Sequence, residues 1–124
     1  MPPPRATLLV IEDDELVSGV IERTLLAAGY ACTVVGRGGE GIAQIDVPGA
    51  RWDAVVLDLT LPDQRGDEVL RQIRARSATL PVVLSSGHDE RSVARETLAA
   101  ASVFLQKPFR GPELIAAVER ALGR

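Results

Sequence analysis

Residues 54–62 read Ala54-Val55-Val56-Leu57-Asp58-Leu59-Thr60-Leu61-Pro62, a short apolar run that stops abruptly at an aspartate. Such a run, β-branched and too short for a helix, predicts a strand buried on both faces of a parallel sheet. The same design recurs on either side. Upstream, Thr7-Leu8-Leu9-Val10-Ile11 runs into Glu12-Asp13-Asp14, and Ala31 to Val35 reads as another strand. Downstream, Leu80-Pro81 leads into Val82-Val83-Leu84, which ends at Ser85-Ser86-Gly87. A last strand, Val103-Phe104-Leu105-Gln106, ends at Lys107-Pro108.

Helical patterns fill the gaps. Leu16, Val20, Ile21 and Leu25 recur at helical spacing and are closed by Gly29 as a C-cap. A weaker helix is expected around Glu40 to Ile45, a third around Val69, Leu70 and Ile73, and a fourth from about Glu90 to Ala100. The last starts beside Pro112 and shows Leu114, Ile115, Val118 and Leu122 on one face. Strands alternating with helices imply a parallel sheet covered on both faces. Right-handed crossovers then leave an open, doubly wound α/β sheet of flavodoxin-like type, five strands in the order 2-1-3-4-5. Residues 7–124 are expected to form this domain, and the proline-rich residues 1–6 a disordered N-terminal segment.

In such sheets ligands bind outside the carboxyl ends of the strands, at the switch point in strand order. The residues at those ends are Glu12-Asp13-Asp14, Asp58, Ser86 and Lys107. Clustered carboxylates in a partly desolvated cleft would take up protons unless a cation relieves them. Oxygen-only ligands open to water and phosphate favour Mg²⁺, and Mn²⁺ could substitute. An aspartate becomes a feasible nucleophile toward phosphorus once a metal and a lysine neutralise the transferring group. Each residue alone has a plainer reading: a solvated acidic loop, a helix cap, a surface lysine, a turn hydroxyl. Those readings do not require all of them at successive strand ends.

The pieces Leu9-Val10-Ile11-Glu12-Asp13-Asp14, Leu57-Asp58-Leu59-Thr60-Leu61-Pro62 with Gly66, Pro81-Val82-Val83-Leu84-Ser85-Ser86-Gly87 and Phe104-Leu105-Gln106-Lys107-Pro108-Phe109 resemble, in that order, the two-component response-regulator receiver family. The resemblance runs from about Thr7 onward. It implies that Asp58 accepts a phosphoryl group from a histidine kinase or histidine phosphotransfer protein. It implies Mg²⁺ held by Asp13, Asp58 and the backbone carbonyl of Thr60, with Glu12 acting through water. Lys107 and Ser86 would stabilise the phosphoryl group, Ser86 and Phe104 would switch, and Thr60 and His88 would tune dephosphorylation. Pro108 would follow a cis peptide that aims Lys107 into the site. Asp14 matches no fixed role and suits a helix N-cap. Such a module is a signalling domain with at most slow self-catalysed turnover, and phosphorylation could drive dimerisation. Residues 58–60 and 104–109 are similar to receivers attached to hybrid histidine kinases.

Three departures stand out. Phe104 replaces the more familiar tyrosine, Ala99-Ala100-Ala101-Ser102 replaces a glycine–alanine step with an acidic residue, and Ser85 is polar where an apolar residue is common. Ser85 could therefore share the role of Ser86. His88, the only histidine, is either a solvated loop residue or lies near the phosphoryl group. A haloacid-dehalogenase-type phosphatase would want a nucleophile and acid two apart after the first strand, which Asp13-Asp14-Glu15 imitates poorly. The glycine-rich Gly36-Arg37-Gly38-Gly39-Glu40-Gly41 follows the second strand, the wrong place for a dinucleotide fingerprint. A degenerate receiver acting only as an interaction module is the remaining alternative, and the full acidic set argues against it. The net charge of −3 gives no electrostatic footprint for nucleic acid. One cysteine, Cys32, excludes an intramolecular disulfide, and no signal peptide or membrane span is legible, so a cytoplasmic domain is expected.

Overall fold

The computed structural model describes residues 3–124. Strands β1 (Thr7–Ile11), β2 (Ala31–Val35), β3 (Ala54–Asp58), β4 (Val82–Ser86) and β5 (Val103–Gln106) form one sheet in the order β2-β1-β3-β4-β5. Every neighbouring pair is parallel. Helices α1 (Glu15–Ala27), α2 (Gly38–Asp46), α3 (Gly66–Arg76), α4 (Arg95–Ala100) and α5 (Gly111–Ala121) alternate with the strands. The doubly wound architecture expected from the sequence is the one observed.

Side chains alternate across each strand, so a continuous apolar run supplies two cores. Leu8, Val10, Val56 and Val83 pack under Ile21, Leu25, Leu114 and Val118 of α1 and α5. Leu9, Ile11, Val55 and Leu57 face Ile42, Val69, Leu70 and Ile73 of α2 and α3. Each such side chain, taken wholly out of water, contributes about 1.5–3 kcal/mol. These opposed cores hold β1 and β3 fixed at the centre of the sheet. Among the described residues no helix is long and apolar enough to cross a membrane.

Two glycines are required by the backbone. Gly29 follows α1 with φ +92°, the left-handed conformation that ends a helix. Gly66 opens α3, where a Cβ would overlap the backbone of Leu59 and the carbonyl oxygen of Asp58. The loop after β3 can therefore fold tightly back on the strand end.

Three expectations need correction. The inward face of α1 is Val17, Ile21 and Leu25; Leu16 and Val20 are 84% and 43% exposed. Apolar residues one position earlier mimic the same periodicity, but it is Val17, with Ile21 and Leu25, that packs into the core beneath the sheet. The helix expected over Glu90 to Ala100 is broken: a 3₁₀ turn covers Glu90–Ser92, Val93 and Ala94 are extended, and α4 starts at Arg95. Asp89 accepts from Arg91 N and closes that turn, while Val93 is drawn into the core. In the segment expected to be disordered, Met1 and Pro2 lie outside the described residues, but Ala6 is buried and Arg5 N donates to Gly29 O at 2.9 Å.

Candidate functional site

The acids at the strand ends converge. Glu12 and Asp58 are buried at 3% and 4% exposure, whereas Asp13 is open to solvent. One carboxylate oxygen from each lies within 4.8 Å of the others. From the end of β5, Lys107 brings its Nζ to 2.6 Å from Glu12 Oε1 and 3.4 Å from Asp58 Oδ1. Backbone groups complete the arrangement. Asp14 N donates to Glu12 Oε2, Thr60 N to Asp58 Oδ1, and Lys107 N to Ser86 O. The Lys107–Pro108 peptide is cis.

The electrostatics follow from this crowding. Burial pushes the Glu12 carboxyl up to about 7; Lys107 pulls it down and Asp58 adds to the rise. Burial alone would lower the Lys107 ammonium, but the Glu12 and Asp58 carboxylates outweigh it and the net shift is upward. Three carboxylates against one ammonium leave negative charge at a place where two of the acids are out of water. A hard divalent cation suits that donor set, because it takes oxygen ligands and relieves the mutual repulsion.

The other sequence-predicted residues are distributed around this centre. Ser86 is fully buried and its Oγ accepts from His88 N at 3.0 Å. Ser85, also buried, pairs with Asp58 across the sheet and its carbonyl accepts from Leu59 N. Thr60 and His88 are exposed, and Phe104 is half-buried against the α3-side core. Asp14 accepts from Leu16 N and Val17 N as the cap of α1, which removes it as a free acid for phosphatase chemistry.

Two residues were not picked out by the sequence. Asp63, in the loop after β3, accepts from Gly38 N and Gly39 N at 2.8 and 2.9 Å. These bonds, that from Gly39 foremost, hold its carboxyl below the usual range. The glycine-rich run weighed as a nucleotide loop thus receives a carboxylate of its own chain. Arg65 forms an antiparallel bridge with Thr60 and turns its Nε to Asp67 Oδ1 at 3.2 Å.

Two openings flank the acids. A cavity of mixed character, about 490 Å³, is lined by Leu59, Thr60, Leu61, Arg65, His88 and Ser92. An apolar groove of about 550 Å³ is lined by α1 (Leu16, Val17 and Val20), Gly87 and the Lys107-Pro108-Phe109 turn.

Comparison with known proteins agrees with this geometry. The profile of the response regulator receiver domain matches residues 8–119. The sensory transduction protein RegX3 of Mycolicibacterium smegmatis is 35% identical over 95% of the chain, which spans 51% of that protein. The DNA-binding transcriptional regulator NtrC of Salmonella typhimurium is 32% identical over 95% of the chain, which spans 25% of it. The chain thus spans about half of the first of these curated relatives and a quarter of the second. Among solved structures, the receiver domain of Francisella response regulator 1452 superposes with a TM-score of 0.86 at 27% identity, covering 97% of this chain and 98% of that one. With its strand-end acids and lysine brought together and the profile matched along nearly its full length, the chain belongs to the response regulator receiver domain family.

Proposed function

We propose that Asp58 is the residue on which this signalling domain accepts a phosphoryl group. The observation that carries this is the pairing of a buried Asp58, beside two further carboxylates, with the Lys107 ammonium at 3.4 Å. Asp13, Asp58 and the Thr60 carbonyl would hold Mg²⁺ or Mn²⁺, with Glu12 acting through water. Bound there, the ion would neutralise charge on the transferring group. Lys107 would exchange Asp58 for the phosphoryl oxygens. Ser86, whose Oγ now serves only a local turn with His88 N, would move to them, and Phe104 would follow into the space released. Thr60 and His88, two residues beyond Asp58 and Ser86, would tune the approach of the water that ends the acyl phosphate, and turnover would be slow.

The donor would be a histidine kinase or phosphotransfer protein docked over the apolar groove, where Leu16 is 84% exposed. The acidic chain itself would contact no nucleic acid, and RegX3- or NtrC-like output would lie in other segments. A cytoplasmic setting and attachment to a hybrid kinase are part of the same reading.

Intact mass after Mg²⁺ and acetyl phosphate should show one added phosphoryl group on wild type and none on Asp58→Asn. Full modification of that variant would sink the assignment. Asp13→Ala should weaken Mg²⁺ by at least roughly 10- to 100-fold in calorimetric titration, the range for losing mere outer-shell support, because here a direct anionic ligand is lost. Thr60→Ala should stay within about twofold, because only its carbonyl is invoked.

A further inference from the structure

Arg74, in the last turn of α3, directs its guanidinium at backbone carbonyls. Its Nε donates to Ala100 O at 2.8 Å, and one terminal amino group donates to Leu80 O at 2.7 Å and to Ser77 O at 3.2 Å. Ala100 is the last residue of α4, a helix with no basic residue in its own last turn. The final carbonyls of a helix lack partners within it and form its negative end, so a cation supplied by α3 meets both needs. The same bonds close a ring. Ser102 N donates to Val82 O at 2.9 Å, and Ser102 Oγ accepts from Val82 N at 3.0 Å, which ties the turn from α4 into β5 to the start of β4. Arg74 fastens both sides of that turn, at Ala100 and at Leu80, to α3. The opposite end of α4 is held differently. Ala94 offers no capping oxygen, and of residues 87–96 only Val93 is buried.

We propose that Arg74 is the pin of a hinge, about which α4 swings by its N-terminal end while Ala100 to Ser102 stay in place. The physical content is a difference in local stability along one short helix. Opening at Ala94 breaks the first-turn bonds that Thr97 N and Leu98 N donate to Ala94 O, at an exposed end where water replaces them. Opening at Ala100 instead leaves a half-buried guanidinium without its carbonyl, and a hydrogen bond from a charged donor is the costlier one to lose. The pin also gives motion a direction. A change at Ser86 and Gly87 enters α4 at its loose end and stops at the pin. Phe104, two residues beyond Ser102, is then reached across the sheet from β4, where Leu84 is its register partner, and not along α4. This directional consequence rests on Asp58 as the phosphoacceptor; the hinge itself does not.

Amide exchange of the whole chain, read residue by residue by NMR, tests the pin without phosphate. In wild type Ala101 and Ser102 should exchange at least about tenfold more slowly than Thr97 and Leu98, the order of one hydrogen bond to a charged group. Arg74→Met keeps an unbranched stem and removes the donors. It should erase that difference by speeding Ala101 and Ser102, and leave Thr97 and Leu98 within about twofold. Arg74→Lys, with one ammonium in place of the fork, should recover part of it. Arg71→Met, three residues earlier and outside the ring, should change nothing. If Arg74→Met does not fold, Ser102→Ala, which removes the acceptor of Val82 N from the same ring, should speed Ala101 in its place. Absence of the gradient in wild type, or equal speeding over all of α4 in the variant, would overturn the hinge. With Mg²⁺ and beryllofluoride as a phosphoryl mimic, amide shift changes should be large from Gly87 to Leu98 and fade by Ala101, reaching Ser102 only in Arg74→Met. Changes largest at Ala101 and Ser102 in wild type would also overturn it. If beryllofluoride moves nothing, the phosphoacceptor reading falls, and the exchange gradient still decides the hinge.

Discussion

The centre of the sheet, β1, β3 and β4, and the edge formed by β5 and α4 are built to different standards. In the first, every residue of β3 is buried, α1 runs thirteen residues behind an Asp14 cap, and the loop after β3 is tied at Asp58, Leu59 and Gly66. In the second, only Leu105 of β5 is buried, and α4 has six residues with no side-chain cap. Phe104 there is half-buried. The proposed metal and phosphoryl chemistry therefore sits on an over-determined frame that includes Ser86 on the fully buried β4, while Phe104, the other half of the proposed switch, sits on β5, which has little holding it. That division suits a domain that must keep its acids fixed and let a surface move.

The frame should break hardest at Gly66. In Gly66→Ala the new methyl meets backbone, which cannot swing aside, so a loss of about 1–3 kcal/mol is expected by urea unfolding. Phosphorylation should fall with it, since the same loop carries Thr60. A variant of wild-type stability would show that the loop has freedom that this contrast denies it.

Acid should loosen the frame at Asp63. Its carboxyl lies below the ordinary value of 3.8 when folded, so the charged form is the one that folding favours. Its contribution is therefore complete above that value and disappears as pH falls through the lowered one. Asp63→Asn should cost about 0.5–1 kcal/mol at pH 7, the lower part of the range for a capping carboxylate because the group is solvent-exposed. The two proteins should converge in stability once the pH has fallen below that lowered value. A gap that persisted there would assign the cost to packing.

The smallest change should sharpen the other region. Ala94 is extended and precedes α4 without a capping oxygen. Ala94→Asp supplies one and should add about 0.5–1 kcal/mol of local stability. Hydrogen exchange at Leu98 to Ala100 would slow accordingly. No slowing would mean that the opening of this region is set elsewhere than at its helix start.

The sequence shows well what is local and poorly what is not. Strand ends at Glu12, Asp58, Ser86 and Lys107 were legible because an apolar run and the polar residue that stops it are neighbours in the chain. The cap at Asp14 was legible for the same reason. The phase of α1 was not, since Leu16 and Val20 obey helical spacing as well as Val17 and Ile21 do. Only packing against the sheet decides between them. Nor was the Asp63 bond to Gly38 and Gly39, whose partners lie 25 and 24 residues apart. The break before α4 depends on Val93 being worth more in the core than in a helix, a tertiary preference that propensity does not carry.

The outward Leu16 and Val20 have a consequence for the molecule as a solute. With Pro108 and Phe109 they leave an apolar groove on a small domain whose formal charge is only −3 at pH 7 and whose isoelectric point is near 5.1. Charge repulsion between copies is therefore weak at neutrality and vanishes about two pH units lower. Nothing would then oppose contact between two such grooves except hydration. Solubility should pass through its minimum near pH 5.1, and a polar residue at position 16 should raise that minimum without touching the core.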